Sequence, residues 1–232
     1  MLRNQILSGM VLCGVILTGC GQQNSKESGE PEVSDRRSAA IAADKSSSVE
    51  KENILFFGTS LTAGYGLEQR EAYPALIQKK IDSLQLPYQA VNGGLSGETS
   101  AAGKSRIDWL LKKPMKVFVL ELGANDGLRG IPVSQTTANL QDIIDKVKSK
   151  YPQATLVLAG MQMPPNMGQK YAADFKAMFE KLAVKNKMVF VPFLLDGVGG
   201  VSQLNQSDGV HPTAEGQKIL AENVWAQLKD VL

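Results

Sequence analysis

The sequence contains one histidine, His211, which lies in a short polar segment near the carboxyl terminus. Asp208 precedes it by three residues, and Pro212 follows it. An aspartate at this spacing can fold back onto one imidazole nitrogen, where it fixes the tautomer and stabilises the imidazolium. Any histidine-based acid–base step must therefore use His211. A lone histidine is more often structural, so this segment indicates catalysis only together with a partner.

A candidate nucleophile, Ser60, follows an apolar run that ends at Gly58. A serine hydroxyl is a poor nucleophile unless a neighbouring base accepts its proton. Taken alone, Ser60 is more typical of a turn residue or a helix N-cap. Paired with His211, it would supply the nucleophile of an acyl-transfer site.

Two further loops carry hydrogen-bond donors. Gly97 lies between Ser96 and Glu98, and its missing side chain lets the backbone approach a bound group and donate an N–H to an oxyanion. Asn125 follows another apolar run and offers a side-chain N–H for the same role. Each has a plainer interpretation, as a loop glycine before a helix and as a turn asparagine.

The hydropathy pattern places these loops between strands and helices. Short apolar runs predict strands at residues 54–57, 88–91, 117–122, 155–159 and 188–191. Apolar residues at helical spacing predict helices at residues 73–84, 99–111, 134–150, 171–185 and 213–231. Ser134 is the expected N-cap of the third helix, and Pro114 is expected to end the second. The continuously apolar strands predict a parallel sheet covered by helices on both faces, with an active site at the carboxyl ends of the strands.

Four segments resemble the conserved blocks of the SGNH (GDSL-type) hydrolases, in the same order. They are Gly-Thr-Ser-Leu at 58–61, Ser-Gly-Glu-Thr-Ser at 96–100, Gly-Ala-Asn-Asp at 123–126 and Asp-Gly-Val-His-Pro at 208–212. The resemblance covers about residues 53 to 232 and is closest to the bacterial thioesterase I/lysophospholipase/arylesterase group. It implies a hydrolase domain at 52–232 with the flavodoxin-like fold of that family, a three-layer α/β/α sandwich around a five-stranded parallel sheet.

The resemblance also implies the role of each site residue. Ser60 is the expected nucleophile, and Asp208 and His211 complete a catalytic triad. The Ser60 amide, the Gly97 amide and the Asn125 side chain are the expected oxyanion donors. The first block usually reads Gly-Asp-Ser-Leu, so Thr59 departs from the family pattern and leaves the hydrogen bonding of that loop open.

The substrate is indicated only by class. Three methionines between residues 161 and 168 follow the fourth predicted strand, and their adaptable apolar side chains either line an acyl pocket or pack beneath the loop. The resemblance favours short to medium acyl esters, thioesters or lysophospholipids. A carbohydrate O-deacetylase and a non-catalytic lipid- or glycan-binding lipoprotein remain the alternatives.

The amino terminus has the form of a bacterial lipoprotein signal. Arg3 precedes an apolar run at 6–17, and Leu-Thr-Gly at 17–19 resembles a lipobox ahead of Cys20. Cleavage there would remove residues 1–19 with Cys13, so that Cys20 has no intrachain partner and is the expected lipidation site. The alternative is an ordinary signal peptide with an incidental cysteine. The polar residues 20–51 predict a flexible tether, so we expect an exported, membrane-anchored lipoprotein on the periplasmic or cell-surface face.

The overall composition sets further expectations. A net charge of +2 gives no reason to expect a nucleic-acid partner. One histidine and one surviving cysteine do not make a usual zinc site, and the chain has no P-loop or dinucleotide-binding glycine motif. We therefore expect no metal and no cofactor. We also expect a monomer, whose partners are a small acyl ester or lipid substrate and the membrane.

Overall fold

The computed structural model describes residues 50–232, so the predicted leader, Cys20 and nearly all of the predicted tether lie outside the described residues. The described part contains a five-stranded parallel sheet in the order β2-β1-β3-β4-β5. The strands are β1 (Glu52–Gly58), β2 (Tyr88–Asn92), β3 (Val117–Glu121), β4 (Thr155–Ala159) and β5 (Val189–Val191). All five predicted strands are confirmed.

Helices cover both faces of this sheet. The helices are α1 (Ser60–Ala63), α2 (Tyr73–Ser83), α3 (Ser100–Leu110), α4 (Ala124–Leu128), α5 (Val133–Lys150), α6 (Gln169–Asn186) and α7 (Ala214–Leu228). Helices α2 and α7 pack together on one side, whereas α3, α5 and α6 pack together on the other. Short 3-10 helices occur at Gln69–Glu71, Pro165–Met167, Ser202–Leu204 and Lys229–Val231. The predicted three-layer α/β/α sandwich is therefore confirmed.

The central strands are apolar on both faces because each face is buried under a layer of helices. Successive side chains of a strand point to opposite faces. Phe56 packs edge-on against Tyr73 of α2, with ring centroids 5.7 Å apart. The next residue, Phe57, lies beneath the guanidinium of Arg106 from α3, 4.6 Å from its ring centroid. Both phenylalanines are fully buried, which explains why β1 reads as a continuous apolar run.

Helix boundaries differ from the predictions where local caps decide them. The prediction of Ser134 as an N-cap is wrong, because α5 begins at Val133 with Pro132 in the cap position and no side-chain cap. Proline's fixed φ, here −52°, suits a helix start and sets the boundary earlier. Pro114 does not end α3 either, since the helix stops at Leu110.

The direction of the chain separates the two edges of the sheet. The strands are parallel, so all five carboxyl ends share one edge, which we call the carboxyl edge. Strand β1 enters from the opposite, amino edge at Glu52, and α7 starts just after His211 and runs back towards that amino edge. Among residues 50–232, none of the helices is both long enough and apolar enough to cross a membrane.

Candidate active site

A cleft of about 650 Å³ opens at the carboxyl edge of the sheet. Residues from the loops after β1, β3, β4 and β5 line it. They are Thr59, Ser60, Leu61, Ala124, Asn125, Leu128, Met161, Gln162, Met163, Pro164, Phe193, Leu195, Gly199, Gly200, Asn205, Asp208, Gly209, Val210 and His211. Ser60, Asn125, Asp208 and His211, all predicted site residues, therefore share one cavity.

His211 bridges Ser60 and Asp208 in a continuous line of hydrogen bonds. Its Nε2 lies 2.9 Å from Ser60 Oγ, and its Nδ1 lies 2.6 Å from Asp208 Oδ2. An ionised carboxylate can only accept, so Nδ1 carries the proton and Nε2 of the neutral ring is free to accept one. Ser60 is 8% exposed, which leaves its hydroxyl at the floor of the cleft. This geometry allows His211 to remove the Ser60 proton.

The Asp208 carboxylate is stabilised in its charged form. Its Oδ1 accepts the backbone N–H groups of His211, at 3.0 Å, and Val210, at 2.9 Å. Hydrogen bonds from the His211 amide and ring, followed by the Val210 amide, hold the pKa of Asp208 well below its ordinary value. A carboxylate that stays ionised near neutral pH can stabilise a positive charge on the ring of His211.

Neighbouring residues hold the His211 segment against the Ser60 turn. The Tyr65 ring packs on the imidazole with centroids 4.5 Å apart. The Gln206 side chain donates to the carbonyls of Tyr65, at 2.7 Å, and Pro212, at 3.0 Å. Gln217, buried at the start of α7, donates to the Leu61 carbonyl. None of these residues was assigned to the site from the sequence, because their partners are distant along the chain.

The three predicted oxyanion donors differ in their hydrogen-bond partners and in whether they line the cleft. Ser60 starts α1, and its N–H donates to no described residue, as expected of a first-turn amide. Asn125 lies in the cleft on α4, and its Nδ2 donates to the Glu98 carbonyl at 3.0 Å. That bond brings the 95–98 loop beside Asn125. Gly97 has a φ of +77° and donates its N–H to no described residue, but it does not line the cleft itself.

Two buried acidic residues anchor this donor region. Glu98, 4% exposed, makes a two-pronged ion pair with Arg106 of α3, with distances of 2.6 and 2.5 Å. Asp126 is fully buried and accepts the Ser100 N–H and hydroxyl, which ties α4 to the start of α3. Both residues follow the predicted donors by one position, and no separate sequence pattern indicated their role.

A buried carboxylate that the sequence analysis did not assign lies under the Ser60 turn. Glu121, the last residue of β3, is fully buried. It accepts the Thr59 N–H at 2.8 Å, the Thr59 hydroxyl at 3.0 Å and the Thr62 hydroxyl at 2.8 Å. Burial raises the pKa of Glu121 from 4.5 to about 7, although these hydrogen bonds oppose the rise. An acidic residue inside an otherwise apolar strand was the available signal, because a buried charge needs dedicated partners.

The same contacts resolve the open question about Thr59. Its side chain also caps α1 by accepting the Leu61 N–H at 3.4 Å. An aspartate there would face Glu121 with a second carboxylate, whereas a hydroxyl can donate to it. The hydrogen bonds of the loop are therefore made with threonine in place of the usual aspartate.

The methionines after β4 fit both interpretations. Met161 and Met163 line the cleft while remaining 3% and 9% exposed. Met167 packs against the hydrophobic core instead. The cleft also has Leu61, Leu128, Phe193, Leu195 and Val210 in its wall. This wall offers apolar contacts to a flexible chain.

Between residues 50 and 232, no three histidine, cysteine, aspartate or glutamate side chains are arranged as a metal site.

The chain matches known proteins across this domain. A family model described as the GDSL-like Lipase/Acylhydrolase family matches residues 56–219. Esterase TesA of Pseudomonas aeruginosa is 40% identical over 183 residues, which cover 78% of this chain and 90% of that protein. A protein of Escherichia coli K12 named thioesterase 1/protease 1/lysophospholipase L1 is 36% identical over 182 residues. These residues cover 78% of this chain and 85% of that protein.

A solved structure agrees with these sequence relatives. The psychrotrophic esterase EstA from Pseudoalteromonas, in a form described as inhibited by monoethylphosphonate, has a TM-score of 0.72 and 33% identity. The match covers 78% of this chain and 98% of the EstA chain. The family match and these relatives show that the chain belongs to the GDSL-like lipase/acylhydrolase family of ester hydrolases.

Proposed function

We propose that the protein is a serine esterase that hydrolyses short to medium acyl esters, thioesters or lysophospholipids through an acyl-enzyme on Ser60. The hydrogen-bonded line from Ser60 through His211 to Asp208 carries this proposal, because it joins a nucleophile, a base and an orienting acid. Ser60 and His211 are 151 residues apart in sequence, and Asp208 lies in the same loop as His211, yet all three groups meet at one edge of the sheet.

Acylation follows from the contacts of His211. Nε2 takes the proton as Ser60 Oγ attacks the substrate carbonyl carbon, and a tetrahedral oxyanion forms. The proton on Nε2 then passes to the leaving alcohol or thiol as the bond to it breaks, which leaves the acyl group esterified to Ser60. Asp208 stabilises the imidazolium between these two transfers.

Deacylation repeats these steps with water. His211 Nε2 accepts a proton from a water molecule that attacks the acyl-enzyme, and it returns the proton to Ser60 Oγ as the carboxylic acid leaves. In both halves of the reaction, the Ser60 N–H and the Asn125 side chain donate hydrogen bonds to the oxyanion, and the Gly97 N–H is the third proposed donor. Loss of one such donor typically costs on the order of 100-fold or more in rate.

The substrate class is supported by the shape and chemistry of the cleft. Its volume of about 650 Å³ lies within the range of small-molecule sites, and its wall includes three leucines, two methionines and one phenylalanine. Such a wall suits an acyl chain better than a sugar, which needs many polar partners. The names of the relatives, esterase and thioesterase/lysophospholipase, agree with this class.

The experiment measures hydrolysis of p-nitrophenyl butyrate and labelling by a fluorophosphonate probe in the wild type and in Ser60→Ala. We expect the variant to lose both signals. Ser105→Ala provides the matched control, because Ser105 is an exposed serine of α3 that bonds only the Ala101 carbonyl. Unchanged turnover in Ser60→Ala would end the proposal, and a folded wild type inert to the probe would favour a binding lipoprotein.

The acyl-chain preference needs a second comparison. Esters from acetyl to about palmitoyl length, tested beside acetyl-xylan, separate an esterase of apolar acyl groups from a carbohydrate O-deacetylase. We expect the highest kcat/KM for butyryl to octanoyl esters, since the cleft wall is apolar. A preference for acetyl-xylan over octanoyl esters would reassign the substrate and leave the triad chemistry intact.

For the amino terminus we propose export and lipidation at Cys20. The support is the sequence pattern alone, a short apolar run followed by Leu-Thr-Gly-Cys at 17–20. The lipid would attach the protein to a membrane on the periplasmic or cell-surface face.

A further inference from the structure

The turn that carries Ser60 is too short to fix its own position. Helix α1 spans four residues, Ser60–Ala63, so it has little more than one turn of intrahelical hydrogen bonds. Isolated helices of this length are not stable, because the free-energy cost of nucleating a helix exceeds the stabilisation from one turn of hydrogen bonds. The position of Ser60 must therefore be set by contacts with the rest of the protein.

One carboxylate binds the turn on both sides of Ser60. Glu121 Oε2 accepts from the Thr59 N–H and the Thr62 hydroxyl, both at 2.8 Å, and Oε1 accepts from the Thr59 hydroxyl at 3.0 Å. The Tyr73 hydroxyl lies 2.9 Å from Thr62 Oγ1. Because Thr62 donates its only proton to Glu121, Tyr73 must donate to Thr62. A line of donors therefore runs from α2 through the turn to the end of β3.

The space around this carboxylate is closed. Gly58 pairs with Glu121 in the sheet register, and a Cβ atom at Gly58 would overlap Glu121 Oε2 and Thr62 Oγ1. The hydrogen bonds that Glu121 accepts from the turn compensate for its burial. The turn and the carboxylate hold each other in place.

We propose that Glu121 is a positioning residue that acts through Thr59 and Thr62 to set Ser60 Oγ and the Ser60 N–H against His211 and the substrate carbonyl. This inference rests on the proposed function. It assigns Glu121 no contact with substrate. A nucleophile displaced by about 1 Å can lose on the order of 100-fold in rate, so the effect belongs in kcat.

The first experiment compares Glu121→Gln with Glu121→Leu, using the full chain and p-nitrophenyl butyrate. A glutamine amide can place its oxygen where Oε2 accepts and its NH2 where Thr59 Oγ1 can accept, so it preserves the bonds without the charge. We expect Glu121→Gln to keep kcat within about threefold of wild type. Glu121→Leu should lose on the order of 100-fold in kcat with KM changed less than about threefold.

The second experiment changes the other end of the contact and does not depend on Glu121→Leu folding. Thr59→Val keeps the shape and removes the hydroxyl, and we expect kcat to fall roughly tenfold. Thr59→Ser restores the hydroxyl and should recover most of that loss. Asn186→Leu is the control for stability alone, because Asn186 is a buried, hydrogen-bonded residue at the end of α6 and lies outside the cleft. It should leave kcat unchanged.

The outcomes separate this inference from the proposed function. If Glu121→Leu or Thr59→Val keeps wild-type kcat, or if Glu121→Gln is as impaired as Glu121→Leu, the positioning role is wrong. A rise in KM with kcat unchanged would also overturn it. In each of these cases an active wild type and an inactive Ser60→Ala leave the proposed esterase standing. Hydrolysis that persists in Ser60→Ala overturns the proposed function instead.

Discussion

Replacing Glu121 with glutamine should change how the stability of the protein depends on pH. Burial raises the pKa of Glu121 from 4.5 to about 7 in the folded protein. Between these values the folded state holds a proton that the unfolded chain has released, so wild-type stability falls as pH rises. At about 1.4 kcal/mol per pH unit, the full effect is roughly 3 kcal/mol. A glutamine has no proton to release, so Glu121→Gln avoids this loss.

The assay is urea unfolding of wild type and Glu121→Gln, followed by circular dichroism at about pH 4 and about pH 8. The free energy of unfolding of the variant, relative to wild type, should be greater at the higher pH by roughly 3 kcal/mol. Contributions from groups other than residue 121 are common to both proteins and cancel in this difference. Glu180→Gln, at an exposed position of α6, is the matched control, and its pH-linked difference should be much smaller. A Glu121→Gln difference that is the same at both pH values, or that favours wild type at high pH, would contradict a raised pKa of Glu121 in the folded protein.

Three further predictions concern the site and the amino terminus. Asp208→Asn should lower kcat by up to about 10⁴-fold, because the ring loses the acceptor that fixes its tautomer, and steady-state hydrolysis of p-nitrophenyl butyrate measures this. Asn125→Ala should lower kcat on the order of 100-fold with little change in KM. A rise in KM as large as the fall in kcat would argue against an oxyanion role. Cys20→Ala should abolish incorporation of radiolabelled palmitate in cells, and labelling that persists would contradict lipidation at Cys20.

Much of the fold was predictable because its signals are local. A strand buried on both faces must be apolar at every position, so runs such as Thr155–Ala159 could be placed to the residue. Parallel strands then bring their following loops to one edge, which predicted that Ser60, Asn125 and His211 would lie close together. The cleft contains all three. Their catalytic roles stay predictions until the variants are measured.

Other features could not be predicted because they depend on contacts between distant residues. Helices α1 and α4 have four and five residues, too few to show a helical period. The bond between Thr59 and Glu121 joins positions 62 residues apart. A glutamate in an apolar strand indicates that a partner exists, but the sequence does not say which one. The placement of Gly97 outside the cleft lining could not be predicted either, because its loop is positioned by the Glu98–Arg106 ion pair.

The two-edged layout of the sheet has a practical consequence for handling the enzyme. Strand β1 carries the chain from the amino edge over seven residues, about 20 Å, before it reaches the Ser60 turn. Helix α7 returns over 15 residues, about 22 Å, to the same edge. An affinity tag, resin linkage or fusion partner joined ahead of Glu50 or after Leu232 is therefore attached on the side away from the cleft. Immobilisation through either position should leave substrate access and turnover intact.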